Sequence, residues 1–182
     1  MFQKSLLATL ISLSVLFQAC SDTEDPNELL TKHQYTLSDL SSAQHIVTKG
    51  LEGFSLQGAE GKVVIFDIFA TWCPPCQDGA THLTSLQEKY KEDLIVIGVT
   101  IEDTITNEKL AEFKEQYNAR YTLTNSKENR RLVDAIATHL DLGERFPIPV
   151  LAMYKDGKLI NYYLGAVQEE FIESDIKQAL GK

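Results

Sequence analysis

The sequence predicts a three-layer α/β/α fold around a mixed central sheet. Three observations predict it. Residues 63–69 and 94–99 are near-continuous apolar runs, the pattern of strands buried on both faces. Helical patterns alternate with them between residues 74 and 139. A hairpin, 150–154 with 159–164 across Asp156-Gly157, then precedes a closing helix. The chain has 182 residues, enough for one domain plus an N-terminal leader. Its 43% apolar content is ordinary for a chain that builds a core.

Taken in order, residues 1–19 read as a targeting segment. Lys4 is its sole positive charge, and the apolar stretch 6–17 is too short to span a bilayer comfortably. It ends in Leu16-Phe17-Gln18-Ala19-Cys20-Ser21. A small residue before a lone cysteine resembles a bacterial lipobox, which implies lipidation of Cys20 after cleavage. Phe17 and Gln18 depart from the usual lipobox, so a soluble secreted form or an uncleaved anchor stand as alternatives. Residues 20–33, polar and acidic with Pro26, read as a flexible tether, and 34–182 as the folded domain. Segments 35–37 and 45–48 have the pattern of an added N-terminal hairpin. Gly50, Gly53, Gly58 and Gly61 punctuate the approach to the strand 63–69. A helix is expected over 74–90, a strand over 94–99 and an amphipathic helix over 108–117, with Leu110, Ala111 and Phe113 inward. A short strand at 121–123, a helix at 129–139, the hairpin and a helix over 169–180 complete the chain. His82 and His139 are expected as exposed helix residues. Glu102 and Asp103 follow a strand end, where they either face the active-site side or sit in a solvated loop.

Trp72-Cys73-Pro74-Pro75-Cys76 carries the chemistry. Two cysteines separated by two residues close a tight disulfide that reopens by thiol–disulfide exchange. The nucleophile is the thiolate, and a helix N-terminus favours it through unpaired N–H groups and the helix dipole. Strand, Cys-x-x-Cys and helix start follow one another here. Cys73, at the helix start, is expected to be the exposed attacking thiol. Cys76, nearly one turn in, is expected to be the buried resolving thiol. Pro74 and Pro75 suit a first turn, where a missing N–H forfeits no intrahelical bond. Trp72 is expected to cover one side of the pair. A zinc site would need two more ligands. The only other cysteine is Cys20, and His33, His45, His82 and His139 show no metal-type pairing. A purely structural disulfide would close too small a loop to constrain much.

Asp67 interrupts the strand Val-Val-Ile-Phe-Asp-Ile-Phe. Burying an ionised carboxylate is costly, and desolvation raises its pKa. One reading has Asp67 exchanging protons with Cys76 during the resolving step. The other is a strand-edge aspartate facing solvent.

These residues resemble the thioredoxin superfamily, and within it the extracytoplasmic thiol–disulfide oxidoreductases of the TlpA/ResA/CcmG type. Residues 61–76, Phe146-Pro147-Ile148-Pro149-Val150, and Tyr154-Lys155-Asp156-Gly157-Lys158-Leu159-Ile160 carry the likeness. The resemblance implies a thioredoxin fold with a TlpA-like insertion over about 100–143. It implies a cis-proline at Pro149 packed against the cysteines. Such a proline blocks β-pairing there and leaves backbone groups of Ile148 free to hold a substrate strand. Trp72, Ile148 and Pro149 together form the expected substrate groove. Gly79 stands where that subgroup often has glutamate, and Thr81 where a helix-kinking proline is expected. Asp67 is as in ordinary thioredoxins. No cofactor and no metal is expected, because the cysteines themselves carry two electrons.

The net charge of −9 argues against nucleic-acid partners and a basic membrane-surface patch. Gly61-Lys62 is followed by Val63, so it is no P-loop, and neither a His-Glu-x-x-His motif nor a Gly-x-Ser-x-Gly elbow occurs. The expected function is reduction of disulfides in periplasmic proteins, with apocytochrome c among the clients and a membrane donor of the DsbD/CcdA type. An oxidase or isomerase working in the other direction, and a non-catalytic binding module, are the alternatives.

Overall fold

The computed structural model describes residues 33–182. The expected leader, most of the tether and Cys20 lie outside the described residues. The strands are β1 (Gln34–Ser38), β2 (Gln44–Lys49), β3 (Phe54–Leu56), β4 (Val63–Phe69), β5 (Leu94–Thr100), β6 (Thr122–Thr124), β7 (Val150–Lys155) and β8 (Lys158–Leu164). The helices are α1 (Pro74–Lys89), α2 (Asn107–Gln116), α3 (Glu128–His139) and α4 (Glu169–Leu180). The central sheet runs β6-β5-β4-β7-β8. Its β4–β5 and β5–β6 pairs are parallel, and its β4–β7 and β7–β8 pairs antiparallel. This is the thioredoxin-like mixed sheet.

The side-chain alternation of β4 sorts the layers. Val63, Ile65 and Phe69 join one core with Ala80 and Leu83 of α1, Phe113 of α2 and Ile172 of α4. Val64, Phe66 and Ile68 join the other with Leu132 and Ile136 of α3 and with Leu37, Val47 and Phe54. One outer layer is therefore helical, and the other is shared between α3 and a small sheet. That small sheet has three strands, β1-β2-β3, where the sequence predicts a two-stranded hairpin. The extra strand is only three residues long and lies between glycines. Gly53 has φ +146° and would put a Cβ 2.6 Å from the Tyr154 ring, so only glycine brings β3 this close to β7. The insertion supplies α2 and α3 to opposite faces, and β6 to the sheet edge.

Both predicted surface histidines are half-buried instead. His139 ends α3 edge-on to Phe54, with ring centroids 5.7 Å apart, because the small sheet packs over the last turn of that helix. His82 lies on α1 beside a cavity described below.

Gly98, in the middle of β5, has close neighbours. A Cβ there would lie 2.6 Å from Leu123 and 3.2 Å from the rings of Phe69 and Tyr121. Gly98→Ala is expected to cost about 1–3 kcal/mol of stability through overpacking. Urea unfolding of the two proteins measures it, and equal midpoints would contradict the packing.

Candidate active site

Cys73 is the N-cap of α1, with φ −89° and ψ 111°, and prolines fill the first helical positions. The backbone N–H groups of Cys76 and Gln77 both donate to the Cys73 carbonyl, each at 3.0 Å. No acidic residue occupies the first turn of α1, so nothing there opposes the helix dipole at the sulfurs. Cys73 and Cys76 form a disulfide with Cα atoms 5.3 Å apart. The expectation of an exposed Cys73 is corrected: each cysteine is 3% exposed. In the closed disulfide, Cys73 Sγ lies 3.7 Å from the Ile148 carbonyl oxygen, and the 148–149 segment helps to shield it. A disulfide sulfur has no proton, so this is a packing contact; a reduced Cys73 thiol could donate to the same oxygen.

The Ile148–Pro149 peptide bond is cis. The Pro149 carbonyl accepts from Gly165 N–H at 2.8 Å, which ties this segment to the end of β8. Trp72 is 65% exposed rather than packed down as a cover. It lines an open groove with Thr71, Glu102, Ile105 and Lys109, and neither cysteine lines that groove.

Asp67 follows the alternation of Ile65 and Phe69, so its side chain enters the core on the α1 side of the sheet. It is 3% exposed, which excludes the solvent-facing reading. Tyr121 Oη donates to Asp67 Oδ2 at 2.8 Å. Burial pushes the carboxyl up to about 7, with the tyrosine hydrogen bond pulling the other way. Tyr121 is itself raised well above its ordinary value by burial, and then by the Asp67 charge. Sequence reasoning missed Tyr121. The register explains how it arrives: Asp67 pairs with Gly98, and Gly98 with Leu123. Gly98 has no side chain, which leaves room for the Tyr121 ring to reach across β5. The usable signal was a glycine inside an otherwise buried strand, which marks a close approach.

A cavity of about 70 Å³ touches Asp67, Cys76, Gly79, His82 and Pro149. It exceeds the space one water needs and borders both Asp67 and Cys76. Gly79 has no atom within 4 Å of where a Cβ would sit.

Glu102 and Asp103 separate. The Glu102 carboxylate accepts from Thr71 N at 2.7 Å and Thr71 Oγ1 at 3.1 Å. Gln77 Nε2 donates to the Thr71 carbonyl at 2.7 Å. These bonds hold the turn that delivers Trp72 and Cys73 from two sides. Asp103 pairs with Arg130 at the exposed surface, 3.2 Å apart.

A Cys-x-x-Cys disulfide at a helix N-terminus, beside a cis-proline and on this sheet order, defines the class: a thioredoxin-fold thiol–disulfide oxidoreductase. The chain belongs to the Redoxin family, which matches residues 34–180. It is similar to the thiol-disulfide oxidoreductase ResA of Bacillus thuringiensis (strain Al Hakam), with 27% identity over 139 residues that cover 75% of each chain. Among solved structures it is similar to a thioredoxin-family thiol:disulfide interchange protein from Chlorobium tepidum TLS. That likeness has TM-score 0.65 and 17% identity, and covers 81% of this chain and 94% of the other. A secreted Mycobacterium tuberculosis disulfide oxidoreductase, described as homologous to Escherichia coli DsbE, has TM-score 0.57 and 16% identity, with 81% and 98% covered. These two structures share the fold.

Proposed function

We propose that this chain is an exported, lipid-anchored enzyme that reduces disulfides of periplasmic proteins through Cys73 and Cys76. The single observation that carries the reading is the disulfide on the first turn of α1, flanked by the Ile148 carbonyl. In the reduced protein, the Cys73 thiolate attacks a client disulfide. A Cys73–client S–S bond forms, the client's own S–S bond breaks, and the departing client sulfur takes a proton. Cys76 then loses its proton, toward Asp67, and attacks Cys73 Sγ. The Cys73–Cys76 bond forms, the second client thiol leaves, and two electrons have moved from enzyme to client. A membrane dithiol donor of the DsbD/CcdA type returns them. The strand-like edge at Ile148 holds the client, and Trp72 offers it an exposed aromatic surface. Haem-binding cysteines of apocytochrome c are one client class.

Export and anchoring rest on residues 1–20, with their apolar stretch and Cys20. Among the described residues, no helix is long and apolar enough to cross a membrane. Mass spectrometry of the membrane fraction tests the anchor: a diacylglyceryl group on Cys20 is expected, and an unmodified Cys20 contradicts it.

Insulin reduction by the purified protein with dithiothreitol tests the activity. Turnover above dithiothreitol alone is expected, and its absence overturns the reading. Equilibration with glutathione buffers tests the direction. A potential below about −200 mV fits a reductase, and one near the −120 mV of a strong oxidant reverses the assignment.

A further inference from the structure

Asp67 is enclosed in the sheet, so a proton taken up there must leave along a polar path. Tyr121 offers none. Its hydroxyl is already donated to Asp67, and the residue is 2% exposed. On the α1 side, the cavity shared by Asp67 and Cys76 is also lined by Asp78, Gly79 and His82. Its remaining walls include Leu83, Leu151 and Ile172. His82 Nδ1 is buried and has no partner in the protein. A buried polar atom left unpaired costs about 1–3 kcal/mol, so its retention beside a reactive sulfur calls for a reason. At Gly79, one turn before His82, a Cβ would meet open space. Imidazole accepts a proton at one nitrogen while giving one up at the other.

We propose that His82 is a proton relay that connects the Asp67–Cys76 cavity with bulk water. The proposal rests on the reading of Cys73 and Cys76 as the exchanging pair. When Cys76 resolves the mixed disulfide, its proton passes to Asp67 and then through cavity water to His82 Nδ1. The other ring nitrogen releases a proton to solvent. Recharging of the enzyme runs the path in reverse. No electrons pass through the ring. The titratable groups on this path are Asp67 from β4 and Asp78 and Cys76 from the α1 end. The cavity walls from β7, α4 and the 165–167 segment are uncharged. Glu169 of α4 is engaged by Ser85 Oγ at 2.7 Å, and Tyr117, after α2, meets α1 through its carbonyl at Thr81.

Single-turnover oxidation of the reduced protein by insulin tests the relay. Trp72, the chain's one tryptophan, serves as the fluorescent reporter beside Cys73. His82→Ala and His82→Gln are each expected to slow the resolving step about tenfold, below the full effect of a direct acid or base because water still conducts some protons. The first, attacking step stays at the wild-type rate. Added imidazole restores the resolving step in His82→Ala, a recovery that a merely structural role would not give. Wild-type resolving rates in both variants overturn the relay. So does a loss that imidazole leaves untouched in His82→Ala while His82→Gln remains fast. A wild-type protein inert toward insulin instead overturns the exchange reading, and the relay with it.

Discussion

Cys76→Ser is expected to abolish catalytic turnover and to leave the protein covalently joined to the first disulfide it attacks. The geometry gives the two sulfurs different surroundings. Cys73 caps α1 and lies beside the Ile148 carbonyl, where a client strand would dock. Cys76 points into the cavity with Asp67. Without Cys76 the attack by Cys73 still proceeds, because the helix N-terminus that favours its thiolate is unchanged. The mixed disulfide then has no internal nucleophile to open it. Non-reducing gels should show a one-to-one adduct with insulin chains that dithiothreitol dissolves. Cys73→Ser should give neither turnover nor adduct. An adduct from Cys73→Ser and none from Cys76→Ser would exchange the two roles.

The order of strands and helices was legible because burial on both faces leaves unbroken apolar runs, and β4 and β5 show them. The α1 start was legible because proline, cysteine and a preceding strand admit few local structures. The third strand of the small sheet was not, since Phe54–Leu56 is too short to show a period, although it pairs with its sequence neighbour β2. Cys73 and Asp67 could be singled out from their neighbours in sequence, as a cysteine at a helix start and an acid inside an apolar strand. Tyr121 could not, because it meets Asp67 only across β5 and only where Gly98 removes the obstruction. Glu102 illustrates the same limit. Its loop position suggested solvent, yet its carboxylate binds Thr71, 31 residues earlier. The burial of His82 and His139 likewise depends on which helix face the cores claim, and polar residues at the margin of a helix stripe are not assigned to either side by periodicity alone.

Asp67→Asn is expected to stabilise the fold at alkaline pH while slowing catalysis, with opposite effects from one buried proton. The carboxyl rises from an ordinary 3.8 to about 7 in the folded chain. Between those values the folded protein holds a proton that the unfolded chain has released, so stability falls as pH rises through this window. Below about pH 4 both states are protonated and the penalty vanishes. Above pH 7 it is full, and three pKa units correspond to about 4 kcal/mol, an upper bound on what removing the charge returns. Tyr121 can still donate to the asparagine oxygen, which preserves the one hydrogen bond the site makes. The melting temperature of Asp67→Asn should therefore exceed the wild type's at pH 8, and the difference should shrink toward pH 4. Activity moves the other way. On the proposed mechanism an ionised Asp67 accepts the Cys76 proton in the resolving step, and its loss is expected to lower that rate about a hundredfold. The wild-type rate should rise through an inflection near pH 7 that the variant lacks. A variant that matches the wild type in both pH dependences would show that Asp67 is protonated throughout and takes no part in the transfer. A variant stabilised at pH 8 yet fully active would keep the buried charge and discard the relay.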